Sequence, residues 1–166
     1  MRTLFCIIAV FLAITTIAQI PRNGSGQFEY SHAVTTNIGS PQELKTKARQ
    51  FFNQPFLIHW DSVKISETSD GRLVTGVGYI NVRAKAHGLS AGKNIPVSLQ
   101  LAIEITDKGY NYTFNNFAVT KSTAKIHFPL EEKPEEVKSM TYDQMLRNTH
   151  ERISFVIGWM KRYMED

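Results

Sequence analysis

From Val97 to Thr106 every second residue is apolar. Val97, Leu99, Leu101, Ile103 and Ile105 alternate with Ser98, Gln100, Ala102, Glu104 and Thr106. A period of two over ten residues is the signature of a strand with one buried and one wet face. Asp107-Lys108-Gly109 then turns the chain back. Tyr110, Tyr112 and Phe114 alternate with Asn111, Thr113 and Asn115 until the phase slips to Phe117 and Val119. The slip predicts a bulge around Asn115-Asn116. Upstream, Val63–Thr68 and Leu73–Val82 flank Asp70-Gly71, a favoured two-residue hairpin turn. Gly76 and Gly78 fall on one face of the second of these strands, which marks a bulge or a helix packed close to the sheet. Phe28 to Thr36 reads as a further strand. Ile126 to Leu130 reads as a short edge strand inside the polar connector Lys121–Lys138.

Two segments change to the helical period. Ser40-Pro41-Gln42-Glu43 is a helix start: the serine can cap, the proline suits the first turn, and Glu43 can reach back as a capping-box partner. Leu44, Ala48, Phe51 and Phe52 then share one side up to about Asn53. The second helix spans about Thr141–Met164, with Met145, Thr149, Ile153, Met160 and Met164 in phase. Together these elements predict a two-layer α+β domain in the order β-α-β-β-β-β-α. An antiparallel sheet of about five strands would carry both helices on one face. A helix-grip arrangement, with the long last helix closing a cavity under the sheet, is the alternative.

The N-terminus departs from both patterns. Arg2 precedes an apolar run from Leu4 to Ile14, no further charge occurs until Arg22, and Thr16-Ile17-Ala18 offers small residues before Gln19. This layout predicts an export signal over residues 1–18, cleaved between Ala18 and Gln19. The run is shorter than the roughly 20 residues a membrane span needs, so no stable span is expected after cleavage. Residues 19–27 read as a polar, flexible leader, and residues 28–166 as a single domain. Cys6 is the only cysteine and lies within the signal, so the product would carry no thiol. Disulfides, thiolate metal sites and cysteine nucleophiles are then ruled out for it. The localisation that follows is periplasmic or secreted.

Charge adds little. Nineteen basic and fifteen acidic residues are interspersed, giving a formal net charge of +4 without a basic stripe, so nucleic acid is not an expected partner. His32, His59, His87, His127 and His150 show no metal-ligand spacing. His59-Trp60-Asp61-Ser62 gathers residue types used in nucleophilic catalysis, but no nucleophile elbow surrounds Ser62. No catalytic residue, metal site or cofactor is expected.

The Tyr30 strand, Ser40-Pro41-Gln42-Glu43-Leu44, Phe51-Phe52, Asp70-Gly71-Arg72 leading into Gly76-Val77-Gly78, and Leu101 to Tyr110 occur in that order. This series is similar to a bacterial family of unknown function with a TATA-binding-protein-like (TBP-like) fold, common among exported proteins of the Bacteroidetes. The resemblance covers roughly residues 28–120 and implies that fold, but no catalytic residues. A TATA-binding-protein saddle is two such units, so it also implies self-association through sheet edges as one kind of partnership. An unidentified protein partner is the other.

Two surfaces are candidates for binding. One is the wet sheet face, with Ser98, Gln100, Glu104, Asn111, Thr113 and Asn115. The other is an apolar cleft between the C-terminal helix and the sheet, lined by Trp60, Tyr79, Tyr112, Phe114 and Trp159. The first suits a protein-binding module, the second a carrier of a small hydrophobic ligand.

Overall fold

The computed structural model describes residues 20–37, 39–54, 58–66, 72–84, 93–121, 126–133, 135 and 139–166. The expected signal with its Ala18–Gln19 junction lies outside these residues, as does the Asp70-Gly71 turn. The order of elements is β1 (Tyr30–Thr35), α1 (Pro41–Phe52), β2 (His59–Ser66), β3 (Leu73–Ala84), β4 (Lys93–Thr106), β5 (Gly109–Lys121), β6 (Ile126–Pro129) and α2 (Ser139–Glu165). All pairings are antiparallel. The sheet runs β1-β5-β4-β3-β2, and β6 pairs with β5 beside β1. This is the expected α+β architecture with one strand more than the expected five or so.

The helices form for local reasons and stay for packing. Ser40 Oγ accepts from the Glu43 amide at 3.3 Å, and the Glu43 carboxylate accepts from the Ser40 amide at 2.6 Å, completing the capping box. Leu44, Ala48, Phe51 and Phe52 of α1 are buried. From α2, Tyr142, Met145, Thr149, Ile153, Val156, Met160 and Met164 are buried at intervals of three and four. Both sets meet the apolar rows of the central strands: Val74, Ile80 and Val82 on β3, Val97 to Ile105 on β4, and Tyr110, Tyr112 and Phe114 on β5. Each large side chain removed from water here contributes roughly 1.5–3 kcal/mol.

Gly76 explains how closely α1 approaches. A Cβ there would lie 2.6 Å from Phe52 Cδ1 and 3.0 Å from Trp60 Cε3, so only a hydrogen leaves room for the ring. The packed-helix reading of the glycine pair therefore holds, whereas the extra residue of the nearby bulge is Asp61 on β2 rather than a residue of the glycine strand. The helix packs against Gly76, and opposite Gly78 the register between Trp60 and Ser62 shifts by one residue.

The expected bulge on β5 is also present. Asn116 takes a φ of 55°, and the register against β4 shifts between Ser98 and Gln100. It falls where β5 changes partners, since Gly109–Phe114 pair with β1 and Ala118–Lys121 pair with β6.

Residues 20–27, expected to be flexible, are held in place. Ile20 and Phe28 are buried, Arg22 bridges Phe28, and the Glu29 amide donates to Pro21 at 2.9 Å. Asn23 Oδ1 accepts from the amides of Ser25 at 3.1 Å and Gln27 at 3.0 Å, and Gly26 closes the turn with a φ of 83°. A side chain satisfying its own turn replaces the missing sheet partner. The Glu131 carboxylate then fixes the end of the turn by accepting from the Phe28 amide at 2.7 Å. Among the described residues, packing onto the core thus includes Ile20 as well as Phe28.

Candidate functional site

One face of the sheet lies under the helices, and no described residue covers the other. Antiparallel pairing sets Gln100 beside Asn115, Ala102 beside Thr113 and Glu104 beside Asn111, while Ser31 of β1 continues the Thr113 row. All six residues expected on the wet face share this surface: Ser98, Gln100, Glu104, Asn111, Thr113 and Asn115. Their neighbours in sequence (Leu99, Leu101, Ile103, Ile105, Tyr112 and Phe114) point into the core.

The face is laced by side-chain hydrogen bonds. Asn116 Nδ2 donates to Gln100 Oε1 at 2.8 Å, Asn111 Nδ2 donates to Glu104 Oε2 at 3.1 Å, and Ser98 Oγ donates to the Ala118 carbonyl at 3.1 Å. The Ser31 and Thr113 hydroxyls lie 3.2 Å apart. Asn115 Oδ1 is buried and has no hydrogen-bond partner among the described residues. Towards β2 the surface becomes aromatic. His59 stacks on Tyr79 at 5.0 Å between ring centroids with 23° between planes, next to Val77, which is 43 % exposed. Among the described residues, Glu104 and Arg83 add charge to the face, and Arg72 and Asp107 form a salt bridge at 2.7 Å.

The expected apolar cleft is not assembled. Tyr79 sits on the open face, because β3 alternates and its core-facing positions are Val74, Gly76, Gly78, Ile80 and Val82. Tyr112 and Phe114 are buried in the core. Trp60 packs on Phe52 at 4.7 Å, and Trp159 packs on Phe51 at 5.1 Å. The gap left between Phe51, Gln54, Ile58, Trp60, Val156 and Trp159 is about 10 Å³. That is at most one water site, so no small hydrophobic molecule fits there. A shallow depression of about 620 Å³ along Gly39, Ser40, Gln42 and Gln50 is made by one helix and its cap alone.

The titratable residues are dispersed. His59 and Asp61 belong to β2, whereas His127 belongs to β6, with β3, β4 and β5 between them. Four inter-strand steps put their backbones roughly 19 Å apart. No group of three or more metal-ligating side chains occurs among the described residues. The perturbed groups are tyrosines. Burial holds the Tyr30 hydroxyl well above the usual phenol range, at 2.8 Å from His150 Nδ1. Burial also raises Tyr110, helped by the charges of Glu165 and Tyr112. Tyr142 is raised by burial against the opposing charge of Arg22. All three hydroxyls stay neutral at ordinary pH.

No protein-family profile and no curated protein matches the chain. Two solved structures do match in shape. One is a DUF4468 family protein from Bacteroides ovatus, with a TM-score of 0.65 and 12% identity, over 90% of this chain and 91% of that one. The other is a TBP-like protein from Parabacteroides distasonis, with a TM-score of 0.58 and 12% identity, over 87% of this chain and 96% of that one.

The fold is TBP-like. Both neighbours come from Bacteroidetes, and the fold is the one implied by the hairpin, capping-box and β4–β5 motifs. In this TBP-like chain the outward rows of β4 and β5 carry mainly amide and hydroxyl side chains. Sequence reasoning missed His59 and Val77 as members of this face. The signal for both was available: they share outward parity with Tyr79 on paired strands. Among the described residues no helix is long and apolar enough to cross a membrane.

Proposed function

We propose that the protein is exported and acts without catalysis, binding a protein partner on the open face of its sheet. The observation that supports this reading is the set of paired side chains on that surface, Asn116 with Gln100, Asn111 with Glu104 and Ser31 with Thr113. Side chains locked to one another lose little rotamer freedom when a partner arrives, which lowers the entropic cost of binding. Their remaining donors and acceptors, with the His59–Tyr79 stack at one margin, give such a face directional contacts beside a small apolar anchor.

The proposal of export rests on the pattern of residues 1–18. N-terminal sequencing of the protein recovered from the envelope or medium should begin at Gln19, and an intact Met1 would overturn it. Binding is tested with a photo-crosslinking amino acid at Gln100 or Thr113 in cells making the full chain. A discrete adduct is expected at both positions, none at exposed Arg49 on α1, and loss of the adduct in Gln100→Lys/Thr113→Lys. Absence of adducts at both face positions in a normally folded chain would refute the reading.

A further inference from the structure

The outward side of α2 holds a second surface, on the layer opposite the open sheet face. Arg147, Glu151, Phe155, Gly158 and Arg162 follow at spacings of four, four, three and four, so they stand in one row, and all are exposed. Phe155 is 52 % exposed. A Cβ added at Gly158 would find no atom within 4 Å. The row thus carries a projecting ring and, about one turn later, an open notch. Arg147, Glu151 and Arg162 make no salt bridge with any described residue.

A single exposed phenylalanine needs no explanation. The order of charges around it is more specific, because it is complementary to its own reverse. When α2 is laid antiparallel on a copy of itself, about a two-fold axis between Val156 and Ile157, Phe155 meets the Gly158 notch and Glu151 meets Arg162. Both contacts occur twice by symmetry. On one flank Arg147 comes within one residue's rise, about 1.5 Å, of the height of Glu165. On the other Arg152 comes level with the aromatic pair Trp159 and Tyr163, whose rings are 5.6 Å apart. Lys161, at the same height as Arg152, lies on the opposite flank with its ammonium 5.5 Å from the Tyr112 ring of its own chain. A parallel pairing would instead set Glu151 on Glu151 and Arg162 on Arg162.

We propose that a second copy of this chain docks on this row, forming an antiparallel two-fold dimer through α2. The contact is held by one ring-in-notch pair and exposed ion pairs, so it is weak and salt-sensitive. Sedimentation equilibrium of the purified chain over a wide loading range should show a reversible monomer–dimer equilibrium. Glu151→Arg or Arg162→Glu alone should weaken it about tenfold, since each meets a like charge twice. The double exchange Glu151→Arg/Arg162→Glu should restore it. Gly158→Leu should abolish dimers by filling the notch, with a melting temperature no lower than that of the parent. A strict monomer at every loading would overturn the proposal. So would a dimer indifferent to both single reversals, or one that the double exchange fails to restore; either result would move self-association to the sheet edges.

Discussion

Tyr110 and Tyr142 are both buried, yet their hydroxyls meet opposite fates. Tyr142 donates to the Leu130 carbonyl at 2.6 Å. Tyr110 heads β5 on the core side with 0 % of its surface exposed, and its hydroxyl has no hydrogen-bond partner among the described residues. Deleting one oxygen from each should therefore move stability in opposite directions. Tyr110→Phe keeps the ring and removes a polar group that lost its water without compensation, a penalty of about 1–3 kcal/mol. Allowing for some relaxation around the hydroxyl in the parent, the expected gain is about 1 kcal/mol. Tyr142→Phe removes a bond and leaves the Leu130 carbonyl bare, so a loss of about 1–2 kcal/mol is expected. Urea titration at pH 7, read from Trp60 and Trp159 fluorescence, measures both. In a domain of this size, 1 kcal/mol corresponds to about 3–5 °C in Tm.

The same tyrosines set an alkaline limit. Burial, with Glu165 and Tyr112 adding, keeps the Tyr110 phenol protonated in the fold well beyond its ordinary range. In the unfolded chain it ionises near pH ~10. Its contribution is complete below that pH. Above it the unfolded chain gives up a proton that the folded chain keeps, so stability falls by about 1.4 kcal/mol per pH unit for each such group. Tyr110→Phe should flatten the decline between about pH 10 and 12 by that slope. A destabilised Tyr110→Phe at pH 7, or an unchanged alkaline slope, would show that the hydroxyl is paired or wet and would refute the reasoning.

Two further substitutions probe the features that position the open face. Gly76→Ala drives a methyl into the Phe52 ring and should cost about 1–3 kcal/mol by overpacking, seen as a lower urea midpoint with unchanged m-value. Glu131→Ala removes the acceptor for the Phe28 amide. It should leave global stability within about 1 kcal/mol but speed proteolytic cleavage between residues 21 and 27, where the turn then opens locally.

The sheet was legible where each strand repeats its own pattern. Val97–Thr106 and Tyr110–Asn115 announce their inward and outward rows without help from elsewhere, and the slip after Asn115 located the bulge because the aromatic phase had to recover at Phe117. Tyr79 was misplaced for an instructive reason. Its aromatic character suggested a cleft, whereas parity with Gly76, Gly78 and Ile80 put it on the open face. Parity is the stronger argument, because a strand cannot turn one side chain over without a bulge. The packing of Ile20 and Phe28 onto the core was beyond local reading. Its anchor, Glu131, lies 103 residues from Phe28, within the polar connector Lys121–Lys138. The sharing of the β5 edge by β1 and β6 is likewise non-local.

The two proposed surfaces are separable because the fold puts them on opposite layers. Outward residues of β4 and β5 alternate with core residues, so the sheet face can be changed one side chain at a time without opening the core. The α2 row lies beyond the buried stripe from Met145 to Met164 and is equally independent of it. A two-fold dimer through α2 would leave both sheet faces pointing away from the contact. It would then present two copies of one binding surface, and a partner with repeated sites would be held more tightly by the pair than by either alone. Glu151→Arg should therefore retain the crosslink at Gln100 while weakening capture of a repeated partner. Loss of the crosslink itself in that variant, at loadings where it is monomeric, would mean that the sheet face is completed across the dimer, and that the two surfaces form one site.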